Sequence, residues 1–288
     1  MKNDQATQLR RKIEKLNNPK QAKTICIISG KGGVGKSNFA VNFALDLIYN
    51  GKKVLIFDLD VGMGNIEILL GRSAKKNIND MFNGNDSIHS IIEIHENGLA
   101  FIAGGSGLNE LFTLNDQKKQ FFINQYNELI HSYDYIIFDM GAGIHSDSLF
   151  FILAADECIV VTTPEPTSIT DAYSMIKQII NNQGRMPIRV IMNRCPSQKN
   201  GEQMLEQFRK VIQQFLQVDI SKMGILPEDK AVTLAVVHQE PYIFNEKLPI
   251  TKALKQITAN YLNNTFTLNS IHPKFIQKLK QLLIREVE

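Results

Sequence analysis

Apolar positions in this chain fall into short unbroken runs separated by longer stretches in which they recur every three or four residues. The runs at 24–29, 54–58, Tyr135–Met140, 158–162, 188–193 and 223–226 predict buried strands. Lys36–Tyr49, closed by Gly51, and the segments 116–132, 168–182 and 202–216 carry helical periodicity. Asn97-Gly98 between two apolar runs predicts a hairpin. Strands that alternate with helices require crossover connections, so the expected fold is α/β: a mostly parallel, doubly wound sheet with helices on both faces.

The chain has 288 residues, 43% of them hydrophobic, enough for one large domain with a substantial core. The expected organisation is a basic N-terminal arm over 1–23, a main domain over 24–266, and a linker with a C-terminal amphipathic helix over 267–288. No stretch reads as a membrane span and the N-terminus is polar, which leads us to expect a cytoplasmic protein. Cys26, Cys158 and Cys195 lie in or beside apolar runs, without paired metal spacing, as reduced structural thiols do. The net charge of +3 is unevenly placed. Seven basic residues face two acids before Thr24, and four face two from Pro273 onward, so the body between them is acidic. That distribution disfavours a broad nucleic-acid face on the body and makes the two ends the candidate partner-binding elements.

One segment changes the picture from architecture to chemistry. Gly30-Lys31-Gly32-Gly33-Val34-Gly35-Lys36-Ser37 stands between the first strand and the first helix, with the Gly-x-x-x-x-Gly-Lys-Ser spacing of a phosphate-binding loop. Glycines let backbone N–H groups turn inward on phosphate oxygens, and the helix that follows adds the positive end of its dipole. Lys36 would reach the β- and γ-phosphates and Ser37 would ligate Mg²⁺. Gly32, Gly33, Val34, Gly35 and Asn38 complete the candidate cradle. Asp139 ends the run Tyr135-Ile136-Ile137-Phe138 and precedes Gly141-Ala142-Gly143, as suits a Walker B carboxylate on Mg²⁺ beside a loop responsive to the γ-phosphate. Asp58 and Asp60 fall on one side of a strand by alternation. Asn193-Arg194-Cys195-Pro196 stands where P-loop GTPases carry Asn-Lys-x-Asp. Pro196 replaces the aspartate that accepts from guanine, so the base preferred is adenine.

The second lysine, Lys31, makes the loop resemble the deviant Walker A of the MinD/ParA family of P-loop (SIMIBI-type) ATPases, and the similarity extends over most of the chain. The resemblance implies ATP, ADP and Mg²⁺ as ligands, and slow ATP hydrolysis coupled to an ATP-dependent homodimer. Lys31 would touch phosphates bound by the other subunit, which makes Lys31, Lys36 and Asp60 the implied catalytic set. Asp60 would position the attacking water, and Asp58 would act on the metal side with Ser37 and Asp139. Asn193, Arg194 and Pro227-Glu228-Asp229 are the implied adenine pocket; Glu165 and Asp171 are implied at the dimer interface.

At the N-terminus, Asp4-Gln5-Ala6-Thr7-Gln8-Leu9-Arg10 matches the Asp-Gln-Ala-x-x-Leu-Arg element of the FlhG (YlxH, FleN) branch of MinD-like proteins. There it stimulates the signal-recognition-particle-type GTPase FlhF, so Asp4, Gln5, Ala6, Leu9 and Arg10 are the implied partner contacts. Flagellar switch (C-ring) components are further implied partners, and flagellar number or placement is the implied outcome. At the other end, Phe275, Ile276, Leu279, Leu282, Leu283 and Val287 share an apolar arc when 274–288 is projected as a helix, with Lys274, Lys278 and Arg285 along one edge and Lys280 on the other. This is the pattern of a helix lying in an anionic membrane interface, and equally of a helix packed on its own domain. A division-site MinD would share everything except the N-terminal element. A ParA-type DNA-segregation ATPase is the other alternative, against which the acidic body counts.

Overall fold

The computed structural model describes residues 21–60, 64–84, 86–105, 115–143, 146–182, 184, 186–265 and 274–287. The strands are β1 (Lys23–Ile28), β2 (Val54–Leu59), β3 (Glu93–Ile94), β4 (Ala100–Ile102), β5 (Tyr135–Met140), β6 (Glu157–Thr162), β7 (Ile188–Cys195) and β8 (Ser221–Pro227). The helices are α1 (Lys36–Tyr49), α2 (Ile66–Leu70), α3 (Ile78–Gly84), α4 (Asp116–Tyr126), α5 (Ser146–Ala154), α6 (Pro166–Asn181), α7 (Gln198–Leu216), α8 (Lys230–Val237), α9 (Pro249–Thr265) and α10 (Phe275–Val287).

The strands form one sheet in the order β3-β4-β2-β5-β1-β6-β7-β8. Every pairing is parallel except β3 with β4, the hairpin expected at Asn97-Gly98. Gly98 closes that turn at φ 82, a left-handed conformation that disfavours a side chain. From β1 the chain first fills one side, laying down β2, β3 and β4 and returning to insert β5 between β2 and β1, and then builds outward on the other side through β6, β7 and β8. The strand order therefore reverses at β1, and the crevice beyond its C-terminal end is where ligands bind in open α/β sheets.

The unbroken apolar runs reflect burial on both faces. In β1, Ile25 and Ile27 join a core under α1, α2 and α9, whereas Cys26 and Ile28 join the opposite core under α4, α5, α6 and α7. The second core is aromatic at its centre, where Phe57, Phe122, Tyr126, Phe138 and Phe151 stack and tilt with ring centroids 5.0–6.3 Å apart. All three cysteines are buried and free. At the N-terminal edge of the sheet, buried Glu157 accepts hydrogen bonds from Lys23 Nζ (2.6 Å), Tyr261 Oη (2.7 Å) and Arg189 Nε. This bolts β1, β6, β7 and α9 together.

The C-terminal helix α10 rests on this second core. Phe275 and Leu279 are 2% and 0% exposed, and the Phe275 ring lies 4.7 Å from Tyr126 and 5.4 Å from Phe138. Ile276, Leu282 and Leu283 pack partly buried against the same cluster. The arc expected to meet a membrane is thus covered by the protein's own domain in this state; the Val287 side chain lies outside the described residues. No helix among the described residues is long and apolar enough to cross a membrane. The N-terminal element with Asp4, Gln5, Ala6, Leu9 and Arg10 also lies outside the described residues.

Candidate functional site

The glycine loop turns at the end of β1 and feeds α1. Gly33 and Gly35 adopt φ 78 and φ 90, conformations that strain any side chain. A Cβ on Gly35 would also stand 2.4 Å from the Asn193 amide nitrogen. That approach is used: Asn193 Nδ2 donates to the Val34 carbonyl at 2.8 Å, pinning the loop to the end of β7. Gly30 is equally constrained, because a Cβ there would meet the Asp171 carbonyl carbon at 2.3 Å. Asp171 is therefore packed by its backbone against the root of its own phosphate loop.

Inside the cradle Lys36, 6% exposed, donates from Nζ to Asp139 Oδ1 at 2.5 Å and to Ser37 Oγ at 3.2 Å. The two motifs recognised separately in the sequence thus meet as a buried ion pair between the start of α1 and β5. Asp139 Oδ2 is buried and has no hydrogen-bond partner among the described residues. A buried, unpartnered carboxylate oxygen beside a serine hydroxyl suits a hard cation such as Mg²⁺. No group of three or more His, Cys, Asp or Glu suited to hold a metal occurs among the described residues. The donor set fits an ion whose shell is completed by phosphate and water.

Asp58 faces Asp139 across paired strands β2 and β5 but is otherwise engaged. Its Oδ1 accepts from the Asp60 N–H at 3.1 Å, and its Oδ2 from the N–H groups of Asn65 (2.8 Å) and Ile66 (3.1 Å). In this conformation both oxygens of the carboxylate expected on the metal side are engaged by backbone N–H groups at the end of β2 and the start of α2. Burial, and then Asp139, push the Asp58 carboxyl up to about 7 against the pull of those three N–H groups. Asp60 is half-buried, with Oδ1 3.4 Å from where a Gly141 Cβ would stand, so it lies against the loop after β5. Burial raises the Asp60 carboxyl, Lys36 lowers it and Asp139 raises it.

On the rim, Lys31 Nζ donates to Glu165 Oε2 at 2.9 Å and to Thr167 Oγ1 at 3.2 Å. Two residues implied at a subunit interface are thus bonded to each other within one chain. Thr167 escaped the sequence reading, although a hydroxyl two residues after Glu165 at the start of a helix was the available signal. The Lys31 hydrogen bond and charge hold Glu165 below the usual carboxylate range, with a smaller pull from Arg194. Arg194 is exposed at φ 55 in a β7 bulge that turns Asn193 inward and Arg194 outward. In the loop expected beside the adenine, the Glu228 N–H donates to the Cys195 carbonyl at 2.9 Å. Asp229 Oδ1 caps α8 through the Ala231 N–H, while its Oδ2 is buried without a partner among the described residues. Asn38 is not drawn into the cradle by its side chain, whose Oδ1 accepts from Asn42 Nδ2 at 3.1 Å along α1.

A family model described as an AAA domain matches residues 22–191, from the start of β1 through most of β7. The chain is 32% identical to "Antiactivator FleN" of Pseudomonas aeruginosa over 229 residues, 80% of this chain and 81% of that protein. It is 37% identical to "Flagellum site-determining protein YlxH" of Helicobacter pylori over 217 residues, 73% and 72% of the two chains. The chain belongs to the MinD/ParA family of P-loop ATPases. Among solved members, MinD of the MinC:MinD cell division complex of Aquifex aeolicus superposes with a TM-score of 0.71 at 26% identity, covering 88% of this chain and 99% of that one. The family match spans the phosphate loop, the Asp58–Asp60 segment, Asp139 and Glu165, and the structure gathers all of these around the C-terminal ends of β1, β2, β5 and β6.

Proposed function

We propose that this protein is an ATP-driven switch of the flagellar branch of its family. Mg·ATP joins two copies face to face, the pair presents two C-terminal helices to an anionic membrane, and hydrolysis resets the state. The observation that carries the reading is the buried Lys36–Asp139 pair with its open Oδ2, in a chain whose relatives include the antiactivator FleN and a flagellum site-determining protein.

Lys36 would exchange Asp139 for the β- and γ-phosphate oxygens, and Asp139 and Ser37 are the residues that would hold Mg²⁺. Bound Mg²⁺ supplies neutralisation of the phosphate charge. Asp60, lying against Gly141, accepts a hydrogen bond from the attacking water. Lys31 leaves Glu165 and Thr167 for the phosphates of the second subunit. Both of its present partners are exposed, so little opposes that departure. Asn193 and the Pro227-Glu228-Asp229 loop receive the adenine. Two weak helices acting together bind a membrane far better than one, which makes membrane residence depend on dimerisation.

The flagellar assignment rests further on Asp4-Gln5-Ala6 and Leu9-Arg10, through which the arm stimulates an FlhF-type GTPase beside the flagellar C-ring. The test is the GTPase rate of purified FlhF-type partner with full-length protein and with protein lacking residues 1–20. Stimulation should vanish on truncation while ATP hydrolysis by the chain persists. Equal stimulation by the truncated protein would overturn the assignment.

A further inference from the structure

The two ends of the described chain meet at the edge of the sheet opposite the phosphate loop. Lys23 and Thr24 open β1 where the N-terminal arm joins the domain, and the Thr24 N–H donates to Asp156 Oδ2 at 2.8 Å. The Asp156 N–H in turn donates to the Thr24 carbonyl at 3.0 Å. Asp156 stands between the last turn of α5 and the first residue of β6. Immediately before it, the Ala155 carbonyl accepts from Lys278 Nζ of α10 at 2.7 Å. That carbonyl lies at the negative end of α5, where a cation is favoured both as a hydrogen-bond donor and by the helix dipole. Lys278 and Lys274 also place their charges near Asp156. Its carboxyl, raised by burial, is drawn back down by the Thr24 N–H and by Lys278, Lys23 and Lys274.

We propose that Lys278, bonded to the Ala155 carbonyl, is the catch that keeps the C-terminal helix docked. Asp156 ties that catch to the strand start from which the N-terminal arm leaves. The apolar contacts of Phe275 and Leu279 do not discriminate between the domain and a lipid surface, because either buries them. Lys278 does discriminate. Docked, its half-buried ammonium donates to one carbonyl, with the Asp156 charge adding a longer-range attraction; at a membrane the same group meets headgroup phosphates. The start of β1 and the helix therefore meet at one place, and a helix that swings out to a surface does so beside that strand start. The docked geometry is observed directly, and only its consequence at a membrane rests on the function proposed above.

The experiment is hydrogen exchange of the 275–284 segment in full-length, nucleotide-free, lipid-free protein. A charge-assisted hydrogen bond of this kind corresponds to roughly ten-fold or more in a local opening equilibrium. Lys278→Gln should speed exchange in the helix by about that factor while β1 and β5 stay protected, which shows that the domain remains folded. Lys278→Arg, which keeps the charge and the donors, should restore slow exchange. Asp156→Asn should speed it by a smaller factor, and exposed Lys280→Gln should leave it unchanged. Wild-type exchange in Lys278→Gln, or an equal effect of Lys280→Gln, overturns the catch; an inert Asp156→Asn overturns the role of Asp156. A second arm uses anionic vesicles without ATP. Increased sedimentation of Lys278→Gln supports the membrane consequence, whereas fast exchange without sedimentation leaves the catch standing and overturns the membrane reading.

Discussion

Lys36→Gln removes the cation from Asp139 while leaving that carboxylate fully buried. Breaking a buried pair by removing one partner costs about 3–5 kcal/mol. For a domain of this size that is roughly 6–20 °C in melting temperature. The surroundings set an order among the variants. Asp58, whose carboxyl is already pushed up to about 7 by burial and by Asp139, stays beside an unneutralised Asp139 in Lys36→Gln. Asp139→Asn instead strands Lys36 but deletes one of two neighbouring acids. Lys36→Gln should therefore be the more damaging single change, and the double variant, in which neither charge is left alone, less damaged than Lys36→Gln. Urea unfolding and calorimetry without nucleotide near neutral pH give the three stabilities, and titration with a fluorescent ATP analogue should show binding lost in Lys36→Gln. The reasoning is refuted if Asp139→Asn proves the costlier change, or if Lys36→Gln melts at or above the wild type.

Two further outcomes follow from the same geometry. Asp60→Ala should abolish ATP hydrolysis while leaving nucleotide bound, and persistent turnover in a steady-state phosphate assay would remove Asp60 from the water-positioning role. Burial raises the Glu157 carboxyl, but Lys23 and Arg189 outweigh it and hold it below its ordinary value. Its stabilisation is present above the unfolded carboxyl pKa of about 4.3 and is lost as pH falls through the lower folded value. Glu157→Gln should cost about 3–5 kcal/mol near neutral pH and flatten this part of the acid limb, as measured by unfolding across a pH series.

The phosphate loop was legible because its chemistry is local: a strand, glycines that need positive φ, and a lysine at the first position of a helix all lie within fifteen residues. Asp139 was legible for the same reason, as a polar residue ending an apolar run. What the chain order concealed was which residues meet. Lys31 and Glu165 are 134 positions apart and were each assigned outward, toward a second subunit, yet they bond to one another. The hydrogen bonds of Asp58 depend on where Asn65 and Ile66 come to lie, which no periodicity encodes. The C-terminal helix was predicted correctly as a helix. Its resting place was not decidable, because an apolar arc edged with lysines fits a protein groove and a bilayer equally well; the Lys278 bond to Ala155 is the detail that distinguishes them. The short helices α2, α3, α5 and α8 escaped notice, being too brief to establish a 3.6-residue period, and the 17-residue α9 escaped it as well.

The central claim is that ATP occupancy becomes assembly through Lys31. Light scattering coupled to size exclusion measures it most directly, comparing Asp60→Ala with Lys31→Ala/Asp60→Ala in the presence of Mg·ATP. The account predicts a doubled mass for the first and a monomer for the second, with nucleotide bound in both. A strictly monomeric Asp60→Ala protein with ATP bound, or a dimer that forms equally well without Lys31, would contradict it.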